Sequence, residues 1–202
     1  SGLAARAGNL RTGEARIMAK GKLIVLGVTG SIAAHKAVDV CSLLAKAGAD
    51  VHVVMTADAR EFITPLPFKT LSQNPVVTSL YDDEEGWRPT HIQLADTADL
   101  LLIAPATANT IAKLAGGLAD DALGCVALAL NPEAGIIIAP ALNGKMWEHP
   151  ATQANVATLT DRGAQIVGPA EGELACGYEG LGRLASVEEI CAAALQAVGL
   201  TS

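Results

Sequence analysis

Short unbroken apolar runs alternate along this chain with longer stretches whose apolar positions recur every three or four residues. The first run, 22–28 (KLIVLGV), has the continuous apolar character of a strand covered on both faces. Residues 31–47 then follow helical spacing and stop at Gly48, a residue type favoured just past a helix end. A second strand is predicted at 50–55 (DVHVVM), followed by a short helix at 56–62. Segment 64–90 is less regular, with four prolines and the acidic run 82–85, and reads as surface loops with a short strand near 76–80. Residues 99–104 (DLLLIA) and 135–139 (GIIIA) are two further buried strands, with helices predicted between them at 108–115 and 120–130. A helix at 152–160, a last strand at 165–167 and a helix at 186–198 close the pattern. The final helix carries a capping-box signature, Ser186 with Glu189 three residues on.

Strands alternating with helices predict a single α/β domain over 21–202. Its expected form is a doubly wound, Rossmann-like or flavodoxin-like parallel sheet with helices on both faces. Residues 1–20 are rich in Gly, Ala and Arg without periodicity and read as a flexible tail. At 202 residues the chain is long enough to bury a core without disulfides or metals. Half of it is hydrophobic and only 17% is charged, which excludes a disordered linker. Residues 1–22 hold five basic side chains and one acidic, leaving nine basic against twenty acidic in the remainder. So acidic a body is a poor match to a phosphate backbone, and nucleic acid is not an expected partner. No apolar run approaches the ~18 residues needed to span a bilayer, and no secretory h-region is present, so no membrane is expected. Cys41, Cys125, Cys176 and Cys191 show no C-x-x-C pairing and no metal-ligand spacing with histidine. Three of them fall within apolar helical patterns, and the expected setting is a reducing cytoplasm.

In doubly wound sheets ligands sit beyond the carboxyl ends of the strands, so the chemistry is sought there. The first strand ends in the turn Gly27-Val28-Thr29-Gly30-Ser31-Ile32, which feeds a helix N-terminus suited to an anion or to a tight connection alone. It lacks the third glycine of a dinucleotide fingerprint and the Lys-Ser/Thr of a P-loop. Thr56 ends the second strand, and Pro105-Ala106-Thr107-Ala108-Asn109-Thr110 ends the strand at 99–104. Those hydroxyls and that amide suit a ligand edge or an ordinary helix cap. The strand at 135–139 ends in Pro140-Ala141-Leu142-Asn143-Gly144-Lys145-Met146-Trp147, unusual loop content for a chain that is 3% aromatic. Segment 172–183 (GELACGYEGLGR) holds four glycines and Cys176 without either period, and reads as a mobile loop that can act as a lid. Among four histidines, His52 lies within a strand, His35 in the first turns of a helix and His149 just before Pro150. His91 is the loop histidine that remains.

Taken in order, Gly30-Ser31-Ile32, His91, PATANT, PALNGKMW and LACGYEGLGR resemble the homo-oligomeric flavin-containing cysteine decarboxylases, over about residues 22–198. Within that family the likeness is strongest to the branch acting on phosphopantothenoylcysteine in coenzyme A biosynthesis. The resemblance implies FMN at the strand ends, contacted by Gly30, Ser31, Ile32, Thr56, Thr107, Ala108, Asn109, Thr110 and Ala141. It implies His91 and Cys176 as catalytic residues and Asn143 as the ligand of the substrate carboxylate, with no metal. The partner implied is a small-molecule cysteine-containing substrate, and the assembly a homotrimer or homododecamer. The residues that hold the substrate phosphate stay open between Arg183 and Lys145. Three positions depart from the family pattern: Thr107 stands for serine, Leu142 for methionine and Tyr178 for aspartate. The first keeps the hydroxyl, and the second exchanges apolar side chains of similar volume.

The implied chemistry needs an electron sink, because an ordinary amino-acid carboxylate has none. Oxidation of the thiol carbon beside the carboxylate lets CO2 leave and yields an enethiol. His91 would manage protons in that half, and Cys176 would protonate the enethiol as reduced flavin returns hydride. The rival reading is a peptidyl-cysteine decarboxylase of the lantibiotic or thioamide-peptide kind, which releases the enethiol and generally lacks the lid cysteine. A flavin prenyltransferase would not need His91 with the Asn143–Trp147 segment. A non-catalytic flavin-fold regulator would carry a long acidic tail, where this chain has a short basic one.

Overall fold

The computed structural model describes residues 21–81, 89–173 and 179–200. A six-stranded sheet forms its centre: β1 (Leu23–Val28), β2 (Asp50–Met55), β3 (Val76–Val77), β4 (Leu100–Ala106), β5 (Gly135–Pro140) and β6 (Gln165–Ile166). Their order across the sheet is β3-β2-β1-β4-β5-β6, every pairing parallel. This is the doubly wound Rossmann order, not the flavodoxin one, and its direction of winding reverses between β1 and β4. All six residues of β1 and all seven of β4 are buried, as their unbroken apolar runs require of strands covered on both faces.

The faces are closed by α1 (Lys36–Lys46), α2 (Leu66–Ser72) and α8 (Val187–Val198) on one side, where Val40, Leu44, Phe68 and Ile190 meet Ile24, Leu26 and Leu102. On the other lie α3 (Thr90–Thr97), α4 (Ala108–Gly116), α5 (Ala122–Leu128) and α7 (Pro150–Asp161), with Leu94, Ile111, Leu123 and Leu159 against Val25, Leu101 and Ile103. A short α6 (Gly144–Glu148) precedes α7. Among the described residues no helix is long and apolar enough to cross a membrane.

The structure corrects the sequence reading in several places: α2 lies in the stretch 64–90, expected to form loops and a short strand, and α6 in the segment after 139, expected to be loop. The helix expected over 31–47 begins as a tight 3-10 turn, Ile32–His35, before α1, because Ala34 N–H reaches back three residues to the Ser31 carbonyl at 2.8 Å. The helix expected at 56–62 is likewise a 3-10 turn, Asp58–Glu61. His91 is not a loop residue: it is the second residue of α3 and half-buried. Segment 172–183 is not patternless either. Its described residues belong to a two-stranded antiparallel ribbon, β7 (Ala170–Glu173) and β8 (Glu179–Arg183), with Ala170 opposite Arg183 and Gly172 opposite Gly180. Cys176, Tyr178 and the segment 1–20 lie outside the described residues.

Candidate functional site

Three strand ends are tied together at the point where the winding reverses. Thr29, just past β1 and 1% exposed, donates its hydroxyl to the Pro105 carbonyl at 2.6 Å and accepts the Thr107 N–H at 3.2 Å. Ala141 N–H donates to the Ala106 carbonyl at 3.0 Å, and the Ser31 hydroxyl donates to the Ala141 carbonyl at 3.4 Å. The ribbon docks on the same end of the sheet through Leu142 N–H to the Gly182 carbonyl at 2.9 Å. Glycine is required at both close approaches. A Cβ on Gly30 would collide with Asp58, and one on Gly182 with the Leu142 carbonyl, where φ is +147°.

These contacts frame a cavity of about 580 Å³, within the range of small-molecule and cofactor sites. Ala33, Ala108, Ala141, Leu142, Met146 and Leu184 give it an apolar wall, and Ser31, Thr107, Asn109 and Asn143 give it hydrogen-bonding groups. A smaller, polar cavity of about 220 Å³ shares Gly30, Asp58, Thr107 and Asn109 with it and adds Thr56 and Thr110. Of the residues singled out in the sequence, Gly30, Ser31, Ile32, Thr107, Ala108, Asn109, Ala141 and Asn143 thus line the larger cavity, and Thr56 and Thr110 the smaller. His91 lines neither.

Local capping explains how these side chains are held. Thr107 caps α4, accepting Thr110 N–H at 3.2 Å, and its hydroxyl pairs with that of Thr110 at 3.1 Å. Thr56 accepts Ala59 N–H at 3.3 Å, and Asn143 caps α6 by accepting Lys145 N–H at 2.9 Å. At the edge of the smaller cavity the Lys113 ammonium lies 2.7 Å from Asp120 and 3.4 Å from Asp121. Its hydrogen bond to Asp120 raises Lys113 above the ordinary lysine value and lowers Asp120 below the ordinary carboxylate value. Asp121 also accepts Gly124 N–H at 2.7 Å to cap α5, so this charge cluster is satisfied within itself.

Sequence reasoning missed Thr29, Asp58 and Gly182, and did not connect Met146 and Leu184 with the cavity. For Thr29 a signal existed, since a β-branched hydroxyl residue between an apolar strand and a glycine turn has two backbone edges within reach. Gly182 and Leu184 depend on the ribbon, which the sequence pattern did not announce.

Residues 12–199 match the model of the Flavoprotein family. The chain is 48% identical over 164 residues to the coenzyme A biosynthesis bifunctional protein CoaBC of Vibrio vulnificus, covering 81% of this chain and 40% of the relative. It therefore spans about two fifths of the length of such bifunctional relatives. With the probable phosphopantothenoylcysteine decarboxylase of Streptococcus mutans it shares 47% identity over 169 residues, 84% of this chain and 94% of that one. Among solved structures it is similar to a PPC decarboxylase mutant complexed with pantothenoylaminoethenethiol, at TM-score 0.79 and 30% identity over 87% of this chain and 97% of the other. It is also similar to the FMN-dependent cysteine decarboxylase SpaF, at TM-score 0.75 and 35% identity over 88% and 98%. Together with the site at the β1–β4 reversal, these likenesses place the chain in the Flavoprotein family.

Proposed function

We propose that this protein binds FMN at the β1–β4 reversal and decarboxylates 4′-phosphopantothenoylcysteine to 4′-phosphopantetheine in coenzyme A biosynthesis, in the cytoplasm. The carrying observation is convergence: segments far apart in sequence, 30–32, 107–109 and 141–143, line one cavity. The Streptococcus mutans relative, matched over nearly its whole length, supports the choice of substrate. The apolar wall of Ala108, Ala141 and Leu142 fits a flat heteroaromatic ring, and the hydroxyls of Ser31, Thr56, Thr107 and Thr110 fit a polar tail.

Bound FMN supplies a two-electron oxidation of the cysteine-derived side chain, and the return of those electrons, which an unactivated carboxylate needs in order to leave as CO2. The protein's part is positioning and proton transfer. Asn143, which caps α6 by accepting Lys145 N–H and lines the cavity, would bind the substrate carboxylate through its side-chain amide and fix it over the cavity. The His91 imidazole would take the thiol proton during oxidation, and the Cys176 thiol would give one to the enethiol carbon during reduction. His91 lies outside the cavity lining of a single chain, so assembly into a homotrimer or homododecamer is part of the proposal. The test is release of labelled CO2 from carboxyl-labelled substrate by the FMN-loaded protein. Release that is abolished in His91→Asn is expected; no release from the unaltered protein overturns the proposal.

A further inference from the structure

Two basic residues line the larger cavity from different elements: Lys36 at the start of α1 and Arg183 at the end of β8. Among the described residues neither has an ion-pair partner, and Asp58 is the one carboxylate in the cavity lining. In a body with nine basic and twenty acidic residues beyond position 22, two cations lining one cavity without an ion-pair partner among the described residues run against the prevailing charge. The contrast with Lys113 is direct, since that ammonium is consumed by Asp120 and Asp121.

The backbone on either side of Arg183 is held in place, while its side chain is exposed. Its neighbours Gly182 and Leu184 are fixed, the first by the bond from Leu142 N–H and the second by burial at 3% exposure. The guanidinium lies over Gly172 on the paired strand, where an added Cβ would stand 3.2 Å from it. Gly172, having no side chain, leaves the guanidinium room beside the ribbon, and Arg183 is among the residues that line the cavity. A guanidinium so placed is a planar fork of donors matched to a phosphate ester, and Lys36 adds a second positive charge.

We propose that Arg183, assisted by Lys36, binds the terminal phosphate of the substrate and makes the site selective for the phosphorylated over the dephosphorylated pantothenoyl compound. This rests on the decarboxylase reading for the identity of the ligand, but not for the existence of the anion site. Lys145, the other candidate, does not line the cavity. The phosphate is remote from the carboxylate that leaves and is kept in the product, so its contact is the same before and during reaction. It therefore acts on KM and on product affinity, and leaves kcat unchanged.

The experiment is calorimetric titration of 4′-phosphopantetheine and of pantetheine into FMN-loaded protein, for the unaltered chain, Arg183→Gln, Arg183→Lys and Lys36→Gln. The unaltered chain is expected to prefer the phosphorylated ligand by about 10- to 100-fold, the scale of one or two charge-assisted contacts. Arg183→Gln should abolish most of that preference while pantetheine affinity stays unchanged, and Arg183→Lys should keep part of it. Equal weakening of both ligands, or a preference that survives Arg183→Gln, overturns the proposal. So does a loss of FMN retention relative to riboflavin in Arg183→Gln with ligand preference intact, because the charge would then serve the cofactor. A protein that shows the preference but releases no CO2 refutes the decarboxylase reading alone; one that decarboxylates both substrates equally refutes the phosphate site alone.

Discussion

Thr29→Val tests the joint on which the site is built. Thr29 is 1% exposed, and its hydroxyl holds two backbone groups at once, the Pro105 carbonyl at 2.6 Å and the Thr107 N–H at 3.2 Å. Valine keeps the shape and the branched Cβ, so packing is nearly conserved while both hydrogen bonds go. The carbonyl bond is fully buried and leaves an unsatisfied acceptor on removal; the amide bond is partly buried, and water softens its loss. Stranding a buried polar group costs about 1–3 kcal/mol and losing a typical bond about 0.5–1.5 kcal/mol, so the pair is worth roughly 2–4 kcal/mol. For a chain of this length each kcal/mol lowers Tm by roughly 2–4 °C. Urea unfolding followed by circular dichroism reads the stability change, and flavin fluorescence reads FMN affinity, which should fall because Thr107 caps α4 at the cavity. Thr29→Ser, which keeps the hydroxyl, should restore FMN affinity and most of the stability. If Thr29→Val is as stable as the unaltered chain and binds FMN equally well, the proposed joint between β1 and β4 is wrong.

Asn143→Asp should leave stability within about 0.5 kcal/mol, since aspartate caps a helix as well as asparagine does. It should lower kcat/KM about 100-fold or more, because a second carboxylate repels the substrate's; unchanged turnover kinetics would remove Asn143 from the substrate site. Ser186→Ala should cost about 1 kcal/mol in urea unfolding by removing the cap of α8. The hydrogen bonds from the Ser186 hydroxyl and backbone N–H hold Glu189 below the ordinary carboxylate value. That part of the cap is present above the unfolded carboxylate's range and lost as pH falls through the folded value, so the deficit of Ser186→Ala should shrink in acid. Burial pushes the Cys41 and Cys191 thiols up to about 11 from 9.0. Their contribution to stability is present below 9.0 and lost as pH rises toward 11, so the urea midpoint should fall over that interval and less so in Cys41→Ala/Cys191→Ala. A midpoint that falls equally in the double variant would contradict the burial argument.

The central strands were legible because a strand covered on both faces has to be apolar throughout. The runs at 22–28, 50–55, 99–104 and 135–139 fall within two residues of β1, β2, β4 and β5. The capping box on α8 was legible because Ser186 and Glu189 stand three apart with an apolar run behind them. α2 was hidden by Pro65 and Pro67, which look like loop residues but stand at the N-cap and in the first turn, where a missing N–H costs nothing. α3 lacks a side-chain cap, starts after Pro89 and buries only Leu94 and Ala95, so too little of the helical period survives to mark it or to place His91. The β7–β8 ribbon escaped because glycines at 172, 180 and 182 erase the alternation that marks a strand. The same ribbon carries Arg183 and Leu184 to the cavity, so that part of the site waited for the fold. The residues at 30–32, 107–110 and 141–143 were legible because they sit at strand ends, where the sheet's topology directs ligands.

The most direct measurement is the mass of the product formed when FMN-loaded protein is incubated with 4′-phosphopantothenoylcysteine. Loss of CO2 alone is predicted, the signature of oxidation and reduction completed within one cycle. Loss of CO2 together with two hydrogens would contradict the account, because the reaction would then stop at the enethiol as in the peptide-modifying enzymes; an unchanged substrate mass would contradict it entirely.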